Sequence, residues 1–295
     1  MSALTALPAA VLSETIKTLK LLSRNKIGFA GFLIALFIVV ISFAGPLLWP
    51  PEQSANVADI YQAPSPKHWM GTDFQGRDNL LQLVNGGQDI VVVAFLAGVL
   101  TTVLAVTIGA FSAFVGGRVD SFLMEIVNIW LTIPKFPLLA ILATMLKLND
   151  AWLLAVILAL IEWPGLARQV RSQVLSLKKR EYVEAATMLD LGTANIIFRE
   201  MLPNMMSFIA IALIFTMTSA IYQQTGLVFL GLVPFSGANW GVMLSLAERK
   251  SALYAPTAVW YVLSPILAIV LLQLSLVSFA RSLDEVFNPR LRSGV

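Results

Sequence analysis

The sequence predicts an all-α membrane protein with six transmembrane helices, and three observations carry that expectation. Of its 295 residues 58% are hydrophobic and only 13% charged, at a mean hydropathy of +0.80, whereas a soluble domain carries about a quarter charged residues. Apolar runs long enough for a bilayer core, which takes about 20 residues per helix, recur along the chain. Lysine and arginine fall on alternate sides of those runs.

The runs are 27–49, 90–115, 121–146, 151–167, 205–230 and 256–280. The first has no charge. The third contains Glu125 and Lys135 and is interrupted by Pro134 and Pro137, as in a kinked helix buried among protein neighbours. The fourth is short, with Glu162 and Pro164 near its end. About 26 mixed residues precede the first run, too many for a cleaved signal peptide. The chain therefore divides into an N-terminal segment 1–26, a first helix 27–49, an outer loop 50–89, a five-helix core 90–282 containing a charged loop 168–204, and a tail 283–295.

With the N-terminus inside, the inner segments hold Lys17, Lys20, Arg24, Lys26, Arg118, Arg168, Arg171, Lys178, Lys179, Arg180, Arg199, Arg281, Arg290 and Arg292. The outer segments hold Lys67, Arg77, Lys147, Arg249 and Lys250, and Lys135 sits within a span. Fourteen against five is a strong positive-inside bias, so both termini are expected in the cytosol.

Composition also excludes chemistry. The chain has no cysteine and one histidine, His68, which rules out thiolate sites and disulfides and leaves little for histidine-based catalysis. His68, Asp73 and Asp78 in "HWMGTDFQGRDNL" suggest an outer metal or hydrolytic site. Weighed against that, Asp73 and Asp78 are helix caps on the membrane surface, which is the stronger expectation.

One water-compatible stretch stands between apolar runs on the cytosolic side, "EYVEAATMLDLGTANIIFREMLPN" from Glu181 to Asn204. Glu181, Glu184, Thr187 and Asp190 recur every three residues, giving an acidic helical face opposite a small or apolar one. Ala185 and Ala186 keep that second face low, so that another surface can approach, and Leu189 extends it. Gly192 is placed as the helix stop, Thr193 as cap of a second helix over 194–201, and Pro203 as its breaker. The pattern alone fits a helix resting on the inner leaflet or a knob entering a cytosolic partner.

"EAA" at 184–186 with "LP" at 202–203 resembles the cytoplasmic loop of ABC-importer permeases. "LLSRNKIGFAGFLIALFIVVISFAGPLL", "GTDFQGRDNL", "FLGL" with "NWGVML", and "DEVFNPRLR" are similar in order and side to segments of the peptide/nickel permease family. The resemblance covers nearly the whole chain. It implies a type I importer permease fold whose coupling helix (Glu181, Glu184, Ala185, Ala186, Leu189, Asp190, Gly192, Pro203) docks on an ATPase. It further implies a second homologous permease as heterodimer partner, two cytosolic ABC ATPases, an extracytoplasmic solute-binding protein, and a surrounding lipid bilayer, with no nucleic acid. The chain itself would bind no cofactor or metal, ATP and Mg being held by the ATPases. Two positions depart from the family pattern. Asp190 stands where relatives carry glycine, so that Gly192 would end the helix half a turn later. Gln224 stands where many relatives carry an acidic residue.

"VNGGQ" at 84–88 looks like an ATPase signature, but no Gly-x-x-x-x-Gly-Lys-Ser/Thr loop is present, so the chain is expected to be a permease and not an enzyme. The fifth span is polar over one half, and Thr218, Tyr222, Gln223 and Gln224 either line a pathway or bond helix to helix. Glu125, Lys135 and Glu162 likewise form buried pairs or line the path. The substrates implied are oligopeptides or di- and oligosaccharides. An ion-coupled secondary transporter is the alternative, and no internal repeat supports it.

Overall fold

In the computed structural model the described residues are 22–50, 54–146, 148, 150–233 and 239–287. The expectations for residues 1–21 and 288–295, including both termini and four of the cytosolic cations (Lys17, Lys20, Arg290 and Arg292), lie outside them. Among the described residues five helices are long and apolar enough to cross a membrane, and a bent pair makes a sixth span.

The first span, α1 (Lys26–Leu48), starts where the Asn25 side chain accepts from the Gly28 amide. It buries one stripe, Gly28, Gly31, Ala35, Ile38, Ser42 and Gly45. The small residues let it lie against the last span, because a Cβ at Gly31 would stand 2.7 Å from the Ser275 carbonyl. The rest of α1 faces outward.

After an outer loop come α2 (Asn79–Asn85) and α3 (Gln88–Val115), which with α6 (Ala151–Leu177) forms the most extensive helix pair. At their closest approach a Cβ on Gly109 would sit 2.4 Å from the Ala167 carbonyl. The α2–α3 joint explains "VNGGQ" structurally. Trp240 donates its indole N–H to the Leu83 carbonyl at 2.7 Å, and a Cβ on Gly87 would collide with Ser42.

The third span is where the expected helix fails. It is two helices, α4 (Gly117–Thr132) and α5 (Lys135–Leu146), meeting at 81°. Pro134 cannot donate an amide and pushes its predecessor out of the α region, and Ile133 is accordingly extended at φ −78°, ψ 124°. A kinked single helix over 121–146 is therefore corrected to a broken one. The fourth span is also corrected. It does not stop at 167 but continues through Pro164 to Leu177, with Asp150 capping it through the Trp152 amide.

The chain ends with α7 (Glu181–Met188), the last two spans α8 (Met206–Phe229) and α10 (Val259–Phe287), and α9 (Trp240–Arg249) between them. Two apolar cores result. One joins α1, α3, α5, α6, α8, α9 and α10 around Ile90, Leu139, Leu158, Leu227 and Tyr261. The other gathers Ala105, Ala110, Ala167, Val170, Val174 and Met205 beneath α7.

The outer loop is ordered around Asp73. This fully buried carboxylate accepts from the Gln75 and Arg77 amides, from both Nε and a terminal N of Arg77, and from Gln82. Asp78 does cap a helix, accepting from the Leu81 amide, and also meets His68 Nδ1 at 2.8 Å. Asp73 caps none, which corrects that half of the expectation. Among the described residues no group of three metal-ligating side chains forms. The loop is tied to the α9 end by Tyr61, whose hydroxyl donates to the Lys250 carbonyl at 2.9 Å. Burial, assisted by Asp73, raises the pKa of that phenol.

Candidate functional site

Two constellations remain once the packing is accounted for: the segment Glu181–Asn204, and a polar cluster where the third span breaks.

The first begins where α6 ends. Val183 and Glu184 amides donate to the Arg180 carbonyl, and Glu181 and Glu184 occupy the first turn of α7, where negative charge suits the helix dipole. Val183 and Ala186 are buried and seat α7 on Ile196, Ile197 and Met201. Glu181, Glu184, Ala185 and Leu189 are exposed, as is Met188 at 86%. Ala186 therefore faces inward, contrary to the expectation that both alanines share an outward low face. Spacing alone could not choose between adjacent alanines. Met188, an exposed thioether among acidic residues, was missed for want of a polar signal.

Asp190, not Gly192, ends the helix. Its φ is 49°, its amide donates to the Thr187 carbonyl, and the Leu191 amide donates to that of Ala186. That pair of bonds is a Schellman stop with aspartate in the left-handed position usually held by glycine. The expected half-turn extension does not occur. Gly192 also has positive φ, 79°, and precedes a single turn Thr193–Asn195 for which Thr193 provides no side-chain cap, a further correction. That turn widens into a π-helical stretch, Ile196–Met201, in which the Leu202 amide reaches the Ile197 carbonyl. Pro203 opens a 3-10 turn that leads directly into α8. Beside α7 a cavity of about 580 Å³ is lined by Leu177, Lys179, Arg180, Glu181, Tyr182 and Asn204.

The segment is anchored. Arg171 on α6 holds Asp120 with two bonds, 2.6 and 2.5 Å, and Lys178 donates to the Phe114 carbonyl at 2.6 Å. These bonds tie the end of α6, from which α7 follows, to α3 and α4.

The second constellation joins three helices. Lys135, first residue of α5, donates to both Glu162 oxygens at 3.0 Å. Gln223 on α8 donates to the same carboxylate at 2.9 Å and to Ser219 at 2.9 Å. The cluster borders a cavity of about 520 Å³ walled by Leu166, Phe208, Ile211 and Phe215. Of the other expected pathway residues, Tyr222 is 72% exposed, while Thr218 bonds back to the Ile214 carbonyl of its own helix. Gln224 is buried and donates to the Ile90 carbonyl at 2.8 Å. Gln224 thus belongs to helix packing and is removed from the pathway set.

The sequence profile described as binding-protein-dependent transport system inner membrane component matches residues 105–293, almost two thirds of the chain. The chain belongs to that family. A second profile, the N-terminal transmembrane domain of oligopeptide transport permease C, matches residues 16–64 of the permease. A dipeptide transport system permease protein of Bacillus subtilis is 35% identical over 238 residues, 79% of this permease and 73% of the relative. An oligopeptide transport system permease protein of the same organism is 32% identical over 223 residues, covering 75% and 73%. Another, from Mycobacterium bovis, is 30% identical over 274 residues, 92% of each chain. The permease is accordingly the membrane component of an ABC transport system, not its catalytic part.

Proposed function

We propose that this permease is one of two membrane subunits of a peptide importer, and that α7 is its coupling helix. Two homologous ATPases would grip α7 and its counterpart on a second permease. An extracytoplasmic binding protein would deliver substrate to the outer loops. The orientation follows from the charge asymmetry, with both termini in the cytosol. Peptides are favoured over oligosaccharides because the relatives aligned above are named for dipeptide and oligopeptide transport.

One observation carries the coupling reading. The α7 segment turns Met188 and Leu189 outward, 86% and 72% exposed, while Val183 and Ala186 root it in the core. Exposed apolar groups on a rigid base suit insertion into a protein cleft, and the acidic residues around them would fix register by charge. Closure of the ATPases would move the base, and α3, α6 and α8 with it, between two packed arrangements.

Met188→Asp and Leu189→Asp together test this. The variant should insert and fold as before, because both side chains are exposed. It should lose copurification of the ATPases and ATP-driven uptake. Undiminished ATPase recovery and uptake would refute α7 as the docking element.

A further inference from the structure

The break in the third span sets an ammonium against a carboxylate within the membrane, with the ammonium the more exposed partner. The Lys135 side chain is 40% exposed and that of Glu162 14%. A lone cation there would be costly, and Glu162 neutralises it. The ammonium has three donors, and among the described residues only the Glu162 oxygens receive them.

Gln223 braces the Glu162 carboxylate from the α8 side, donating to its Oε1 at 2.9 Å. Gln223 is 7% exposed, and its own Oε1 is buried without a hydrogen-bond partner. The amide cannot turn round, because Glu162 Oε1 requires that donor. The cavity beside Lys135 and Glu162 has Leu166, Phe208, Ile211 and Phe215 as apolar walls, with Gln169, Thr216 and Ser219 as its other polar members.

A partly exposed ammonium beside an apolar wall matches the last residue of a peptide, which offers a carboxylate and a side chain. We propose that Lys135, Glu162 and Gln223 form a station on the translocation path that reads the C-terminal carboxylate of a peptide, an inference that rests on the peptide-import reading. The incoming carboxylate takes the ammonium from Glu162, which keeps its bond from Gln223. The exchange of one anion for another keeps binding weak enough for the substrate to leave. A neutral oligosaccharide has no anion to make that exchange.

The test uses the complete transporter in proteoliposomes, with a labelled peptide and its C-terminal amide, each saturating the binding protein. The wild type should move the free acid faster by roughly tenfold, the worth of one charge-assisted hydrogen bond. Lys135→Met with Glu162→Gln, which keeps the shape and the bond to Gln223, should bring the ratio near one, and Lys135→Arg should retain it. Equal rates in the wild type overturn the inference whether or not the double variant assembles, and so does an unchanged ratio in that variant. If neither peptide form is transported, the peptide-import reading itself fails, a result distinct from equal transport of both.

Discussion

Ala185 and Ala186 are consecutive on α7 and point to opposite environments: Ala186 is 5% exposed in the core with Val183, Ile196 and Met201, and Ala185 is exposed on the surface. A helix advances 100° per residue, so one alanine is the foot of α7 and the other part of its crown. If α7 is the coupling helix proposed above, substitutions at the two alanines act differently.

Ala186→Trp should damage the permease itself. Overpacking a filled core costs about 1–3 kcal/mol for a few added methylenes, and an indole adds more. Yield and thermal stability in detergent should both fall. Ala185→Trp should leave stability within about 0.5 kcal/mol, as exposed substitutions do, yet reduce ATPase copurification. Equal losses of stability in the two variants would contradict the assigned facing.

How far the sequence discloses this can be judged from the same segment. Six apolar runs and the acidic helix near 181–188 follow from composition, period and charge, because bilayer length is a general constraint. The sequence leaves Glu125, Lys135 and Glu162 open between buried pairs and a path lining, and only the structure joins Lys135 to Glu162. The facing of Ala186, the left-handed Asp190 and the burial of Gln224 do not follow. Each depends on a neighbour distant in sequence, or on a backbone state that several residue types adopt at modest cost. Pro134 signalled a bend, but its 81° is set by how α5 packs on α6 and α8.

Asp190→Gly should stabilise the permease. Left-handed backbone costs an L-residue roughly 1–2 kcal/mol, less for aspartate, and a negative charge at a helix C-terminus opposes the dipole. The gain expected is about 1 kcal/mol, read as a higher Tm in detergent. Asp190→Val should lower Tm, since a β-branched residue tolerates that φ least. A Tm for Asp190→Gly at or below wild type would show that the aspartate is held by contacts outweighing its strain.

Gln224→Leu should be nearly silent. It removes one interhelical bond, worth on average about 0.6 kcal/mol in membrane proteins, and with it the unpartnered Oε1 of the same side chain. Stability and uptake should stay near wild type, against the view that this residue lines the path. Loss of uptake at unchanged stability would return Gln224 to the pathway.

The orientation is tested by adding thiols to a chain that has none. Ser54 lies exposed on the outer loop, so Ser54→Cys should react with a membrane-impermeant maleimide in intact cells. Ser13→Cys, on the side carrying the larger share of lysine and arginine, should react only after the membrane is permeabilised. The charge asymmetry predicts this order because cations resist translocation during insertion. Labelling of Ser13→Cys from outside, with Ser54→Cys protected, would invert the permease and place α7 where no cytosolic ATPase can reach it.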